Sequence, residues 1–206
     1  MPIFKAITLQ KKINPFWQIT NTKEAEPMPL KNKCLILLGL TILTALSTST
    51  VCAETYLGGN VAILDYSEVG VPEDASLTTL YGRLGTSLNE NFSAEIRVGF
   101  GLGDDTIDVF GLPVDVELKN FFGGYLLAGF DAGAFYPCAI LGYTRSELEA
   151  SAFGISASET ESDASFGFGA DFYLSRTSSL NLEYMNYIDV DSVEIYGFGI
   201  GLSQKF

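Results

Sequence analysis

The chain has 206 residues with 47% hydrophobic residues, 21 glycines, no histidine and a formal net charge of −13. That length allows one domain preceded by a leader. The charge excludes nucleic-acid binding, which needs cations to neutralise phosphates, and the lack of histidine removes the commonest general base and the Ser-His nucleophile pair.

Residues 1–27 form no recognisable element. Met28 opens a segment of ordinary signal-peptide length and reads as the true start; an unusually long leader beginning at Met1 is the other reading. Lys31 and Lys33 precede the apolar run Leu35–Leu46, polar Ser47–Thr50 follows, and Val51-Cys52-Ala53 ends the segment. Basic, then apolar, then small at −3 and −1 predicts a cleaved secretory signal peptide over 28–53. The run is too short to cross a bilayer as a helix, which takes about 20 apolar residues. Cys52 is not read as a lipidation site, because Ser-Thr-Val before it lacks the leucine and the small residue expected there.

Six of the 12 basic residues but only two of the 25 acidic ones precede residue 54, which leaves 54–206 with a net charge of −17. Cys138 is then the one remaining cysteine. An exported chain without a disulfide needs another source of stability, and the hydrogen-bond ladder of a closed sheet supplies one.

From Glu54 onward the pattern predicts eight strands: 55–66, 76–88, 92–102, 114–130, 134–145, 163–174, 178–188 and 194–206. The connections 67–75, 103–113 and 146–162 are long. Those at 89–91, 131–133 and 175–177 are short, and 189–193 is intermediate. Side chains alternate with period two, as a pleated strand requires. Ala94, Ile96, Val98 and Phe100 oppose Ser93, Glu95, Arg97 and Gly99. Leu80, Leu84 and Leu88 oppose Tyr81, Arg83 and Gly85. Phe166, Phe168, Ala170 and Phe172 oppose Ser165, Gly167, Gly169 and Asp171. Leu180, Leu182 and Tyr184 oppose Asn181, Glu183 and Met185. In the last strand Tyr196, Phe198, Ile200 and Leu202, with Phe206 beyond, oppose Gly197, Gly199 and Gly201. Phe121-Phe122 and Ile140-Leu141 load both faces of their strands.

A soluble sandwich has little use for three alternating glycines on its inner face, since they leave nothing to pack. A transmembrane barrel inverts that logic, with the bulky face in lipid and the thin face in a narrow interior. Long and short connections alternating by side, and an even strand count, fit the same architecture. The expected fold is therefore all-β: an eight-stranded antiparallel up-and-down transmembrane β-barrel at 54–206 after the signal peptide. Tyr56, Tyr81, Phe130, Phe135, Tyr136, Phe172, Tyr184 and Tyr187 are read as interfacial aromatic girdles.

Gly142-Tyr143-Thr144-Arg145, the run Leu180–Tyr187 and the closing Gly-x-Gly-x-x-x-x-Phe from Gly199 resemble strands of the small outer-membrane β-barrels of OmpA/OmpX type. The resemblance covers 54–206 and implies an outer-membrane location. It also implies contact with membrane lipid and lipopolysaccharide and recognition by the barrel-assembly machinery. The assembly signal would be Tyr196, Phe198, Ile200, Leu202 and Phe206. Nothing follows Phe206, so the peptidoglycan-binding domain of larger members is expected to be absent.

Arg83, Glu95, Arg97, Asp171 and Glu183 fall on the face opposite the lipid-facing row, and Lys119 is assigned there too. About eight strands leave an interior just wide enough for side chains, so these charges are expected to pair into a network closing the lumen. A narrow water-filled conduit lined by the same charges is the competing reading. No catalytic residues, cofactor or metal site is expected. Gly99–Gly103 lacks the helix and lysine of a nucleotide loop, and Asp189-Val-Asp191-Ser-Val-Glu194 lacks the glycine turn of a calcium loop. The connections are acidic (Glu68, Glu73, Asp74, Asp104, Asp105, Asp108, Glu147, Glu149, Glu159, Glu161, Asp189, Asp191). They either bind divalent cations or a basic host or cell-surface ligand, or merely solvate the strand ends. The expected function is structural or interactive and non-enzymatic, carried by a monomer; a porin-like channel or a surface adhesin is the alternative.

Overall fold

Strands that are apolar on one face and thin on the other need paired edges on both sides, and the computed structural model pairs them by closing the sheet on itself. Residues 54–71, 73–109, 113–152, 155–190 and 193–206 are described. The expected leader 1–27, the expected signal peptide 28–53 and Asp191 lie outside them. The strands are β1 (Thr55–Glu68), β2 (Ala75–Ser87), β3 (Phe92–Gly101), β4 (Asp104–Asp108), β5 (Pro113–Gly129), β6 (Phe135–Ala152), β7 (Ile155–Tyr173), β8 (Ser178–Val190) and β9 (Val193–Lys205).

Every pairing is antiparallel, and β1 meets β9 to complete the ring. Both β3 and β4 pair with β5, so they are two pieces of one barrel strand interrupted at Leu102-Gly103. The result is a closed eight-stranded barrel, with no helix among the described residues. The turns at 88–91, 130–134 and 174–177 share one end with both ends of the barrel sequence, where Lys205 Nζ sits 2.8 Å from Glu54 Oε2.

Around that end the outer wall is apolar: Leu57, Ile63, Ile96, Phe122, Leu141, Phe168, Phe198 and Leu202 are all more than half exposed. The opposite side chains are buried in the lumen. The ambiguous pairs separate cleanly, Phe121 and Ile140 facing in while Phe122 and Leu141 face out. Inward glycines make room for aromatic rings: a Cβ on Gly99 would strike Phe121 and Tyr81, and one on Gly142 would strike Tyr125.

Farther from the termini the pattern reverses. The outward row turns polar at Asp65, Asn120, Arg145, Ser162, Asn186 and Glu194, while Leu64, Leu77, Val116, Leu118, Leu148, Ile188 and Ile195 fill the interior at 5% exposure or less. Two bulges help produce this inversion, one between Leu118 and Asn120 in β5 and one between Asn186 and Ile188 in β8. An extra residue shifts all later side chains to the other face. The long strands belong to this upper region. A tilted crossing strand needs about 9–11 residues, whereas β5, β6 and β7 have 17, 18 and 19.

The expected loop at 146–162 is therefore mostly strand, with ladder pairs running from Ser146–Glu161 to Ala152–Ile155. Its small polar residues carry little apolar alternation, and the ladder forms because Leu148 anchors it on the upper core. The expected loop 103–113 likewise contains β4.

The β5 bulge is what turns Leu118 into the interior, where it is 1% exposed, so Leu118→Ala empties a buried site. The expected loss is about 2–5 kcal/mol. Urea unfolding in detergent micelles measures it, with boiled and unboiled gel mobility reporting barrel closure. An unchanged midpoint would refute this role for the bulge.

Candidate functional site

The inward parity of β2, β3 and β8 carries Arg83, Glu95, Arg97 and Glu183 into one layer of the lumen near the terminal end. All four side chains are at most 1% exposed. Arg97 is the centre: Nε donates to Glu95 Oε2 at 2.8 Å and Nη1 to Glu183 Oε1 at 2.8 Å. Its guanidinium lies 4.4 Å from the centroid of the Tyr125 ring and 5.9 Å from that of Tyr81. Such stacking suits the planar, weakly hydrated guanidinium.

Arg83 is held less tightly. Its Nη2 donates to Asp171 Oδ1 at 3.0 Å, while Nε and Nη1 stand 3.7 and 3.8 Å from carboxylate oxygens of Glu95 and Glu183. Those two contacts are coulombic without being hydrogen bonds. Asp171 is the outermost member, 17% exposed, and also accepts from Asn181 Nδ2 at 3.0 Å.

Tyrosines complete the carboxylates. Tyr56 Oη donates to Glu95 Oε1 at 2.7 Å, and the Tyr81 hydroxyl donates to Glu183 Oε1. Tyr56, Tyr81 and Tyr187 are thus lumen residues, 8%, 2% and 4% exposed, and not members of an interfacial girdle. Their parity carried that information: Tyr81 shares a face with Arg83. Asn60 and Asn181 extend the polar layer through a 2.6 Å hydrogen bond. Above it Tyr81, Phe121 and Tyr187 pack ring to ring at 5.6 and 5.7 Å, and the aliphatic core begins beyond them.

Lys119 is not part of this network. The β5 bulge turns it outward, where Nζ lies 2.7 Å from Glu117 Oε2 and 3.1 Å from Glu149 Oε1, all three side chains about a third exposed. An unbroken alternation from Phe121 and Tyr125 places Lys119 inside, and one inserted residue reverses that. Of the last strand's outward row, Phe198, Ile200 and Leu202 are exposed, Tyr196 is half-buried, and Phe206 is 78% exposed.

A closed barrel, apolar outside at one end and filled with ion pairs inside, defines a transmembrane β-barrel of the kind that spans bacterial outer membranes. The chain belongs to the outer membrane protein beta-barrel domain family, whose model matches residues 35–206, and it is an outer-membrane protein. Solved structures share the fold. Ail, the attachment invasion locus protein of Yersinia pestis, is 16% identical over 75% of this chain and 99% of its own, with a TM-score of 0.55. Neisserial surface protein A is 14% identical over 74% and 97%, with a TM-score of 0.60. A major outer membrane protein of Thermus thermophilus is 11% identical over 76% and 100%, with a TM-score of 0.53. Comparison with curated protein sequences gives no match.

Arg97→Ala strips both buried glutamates of their short ion pairs, leaving them the tyrosine hydroxyls, and is expected to destabilise the barrel by about 3–5 kcal/mol. Arg83→Ala is expected to cost less, because Arg97 still serves Glu95 and Glu183. Lys119→Ala, outside the lumen, is expected to leave the urea midpoint unchanged. Equal midpoints for all three variants would mean a wet, screened lumen.

Proposed function

We propose that this outer-membrane protein is a closed, non-enzymatic, monomeric barrel that anchors in the membrane and presents an acidic projection outside the cell. The observation that carries the reading is the filled lumen: an ionic layer, an aromatic layer and an aliphatic core stacked in sequence. A permeating ion would have to cross the aliphatic layer without a polar partner, a barrier of many kcal/mol for an isolated charge. The end with short turns and both termini is taken as periplasmic, as in barrels of this type. The polar extension of β5, β6 and β7 then stands outside.

The outward apolar wall faces membrane lipid, and the acyl chains of lipopolysaccharide on the outer leaflet. The exposed row Phe198, Ile200 and Leu202, with Tyr196 and Phe206, is suited to recognition by the barrel-assembly machinery. Ail has been solved with the heparin analogue sucrose octasulfate. The projection here favours the opposite ligand charge. Glu117, Glu147, Glu149, Glu159 and Glu161 crowd β5, β6 and β7, where Lys119 and Arg145 are the cations among the described residues. A cationic partner is attracted by that field and a polyanion is repelled.

Planar-bilayer recording tests the closure. The folded protein is expected to give no steady conductance, and steady openings at the wild-type sequence would replace this reading with a narrow channel.

A further inference from the structure

Around the ionic layer Tyr56 gives its hydroxyl proton to Glu95, and Tyr81 and Tyr187 give theirs to Glu183. Tyr125 is turned another way. Its Oη lies 2.6 Å from Thr144 Oγ1, Thr144 Oγ1 lies 2.5 Å from Ser165 Oγ, and Ser165 Oγ donates to the Tyr187 carbonyl at 3.0 Å. A hydroxyl carries one proton, and a carbonyl oxygen only accepts. The Ser165 proton is committed to the carbonyl, so Thr144 must donate to Ser165 and Tyr125 must donate to Thr144. The direction of the whole chain is thereby fixed.

The chain runs across β5, β6, β7 and β8, and none of its four residues is more than 4% exposed. Bare backbone makes the first link possible: a Cβ on Gly123 would strike the Tyr125 hydroxyl, and one on Gly142 would strike its ring. At the other end Tyr187 sits at the β8 bulge, without a ladder partner in β7 or β9, and Ser165 bonds its carbonyl instead. Both ends carry rings that border Arg97 and its partners. The Tyr125 ring centroid is 4.4 Å from the Arg97 guanidinium, and Tyr187 packs on Phe121 at 5.7 Å. We propose that Thr144 and Ser165 are positioning residues for the seal of the lumen. Their hydroxyls hold the Tyr125 ring against Arg97 and Tyr187 in the layer above, which keeps water from the ion pairs with Glu95 and Glu183. Without Thr144 Oγ1 the Tyr125 phenol is a buried donor lacking an acceptor, and its ring must move to find one. That movement uncovers Arg97. This inference rests on the closed-lumen reading above and names residues that maintain the closure.

The test is the rate at which the Arg97 Nε proton exchanges with water, read by NMR on the full chain folded in detergent micelles. Wild-type exchange is expected to be slow, because that proton is buried and held by Glu95. Thr144→Val keeps the side-chain shape and removes the hydroxyl, and is expected to speed exchange about tenfold, the worth of one buried hydrogen bond. Ser165→Ala is expected to speed it as well and serves in place of Thr144→Val if that variant does not fold. Thr144→Ser keeps the hydroxyl and loses the methyl, and is expected to exchange as the wild type does. Slow exchange in the wild type with the same rate in Thr144→Val and Ser165→Ala overturns the positioning role alone. So does a Thr144→Ser rate equal to an accelerated Thr144→Val rate, since the methyl would then be the group that matters. Fast exchange in the wild-type chain means a wet lumen, and overturns the closed-lumen reading together with this inference.

Discussion

A sheet surrounded by lipid can have no edge, because every unpaired main-chain group there lacks water to bond. The closures β1–β9 and β3–β5 answer that constraint, and the rest of the architecture follows from where it stops applying. The β7–β8 ladder ends at Phe166–Asn186, and the β3–β5 ladder ends at Gly99–Phe121. Both ends lie close to the height at which the outer wall changes from Phe122, Tyr143 and Phe166 to Asn120, Arg145 and Ser162. Closure persists as far as lipid demands it. Above that height the sheet is free to open, and β5, β6 and β7 rise as a projection.

The same boundary explains the inverted side-chain pattern. Below it the solvent is hydrocarbon, so bulky residues face out and polar ones must find partners inside. Above it the solvent is water, and the apolar residues move to the interior as in a soluble barrel. The bulges at Lys119 and Tyr187 let β5 and β8 change face without losing their ladders. The two halves support each other energetically. The aliphatic core and the ring layer of Tyr81, Phe121 and Tyr187 keep water from the upper side of the ionic layer, which strengthens each contact of Arg97 with Glu95 and Glu183. Dryness also makes those contacts obligatory, since a buried charge without a partner is far more costly than one in water.

All eight barrel strands were legible in the sequence, because alternation of large apolar and thin polar residues is strong wherever lipid selects it. The parity that puts Arg83, Glu95, Arg97, Asp171 and Glu183 inward was equally readable. The failures share a physical origin. Lys119 follows the parity of Phe121 and Tyr125, and a one-residue bulge leaves no local mark in composition. Tyr56, Tyr81 and Tyr187 read as membrane-interface tyrosines, because an amphipathic ring suits either place; only their phase with neighbouring charges separates the two. Residues 146–162 read as a loop because their ladder is set by pairing across β6 and β7, with Leu148 as almost the sole apolar anchor.

The acidity of the projection bears on how copies of the chain meet one another. An open edge in water invites pairing with any exposed strand, including that of an identical molecule packed beside it in the same membrane. Lateral crowding makes this hazard greater for a membrane protein than for one free in solution, because neighbours already stand upright with their edges at the same height. Glu159 and Glu161 on the edge, with Glu147 and Glu149 on the adjacent strand, set like charges against each other in any such pair. One arrangement of carboxylates therefore guards the edge against its own kind.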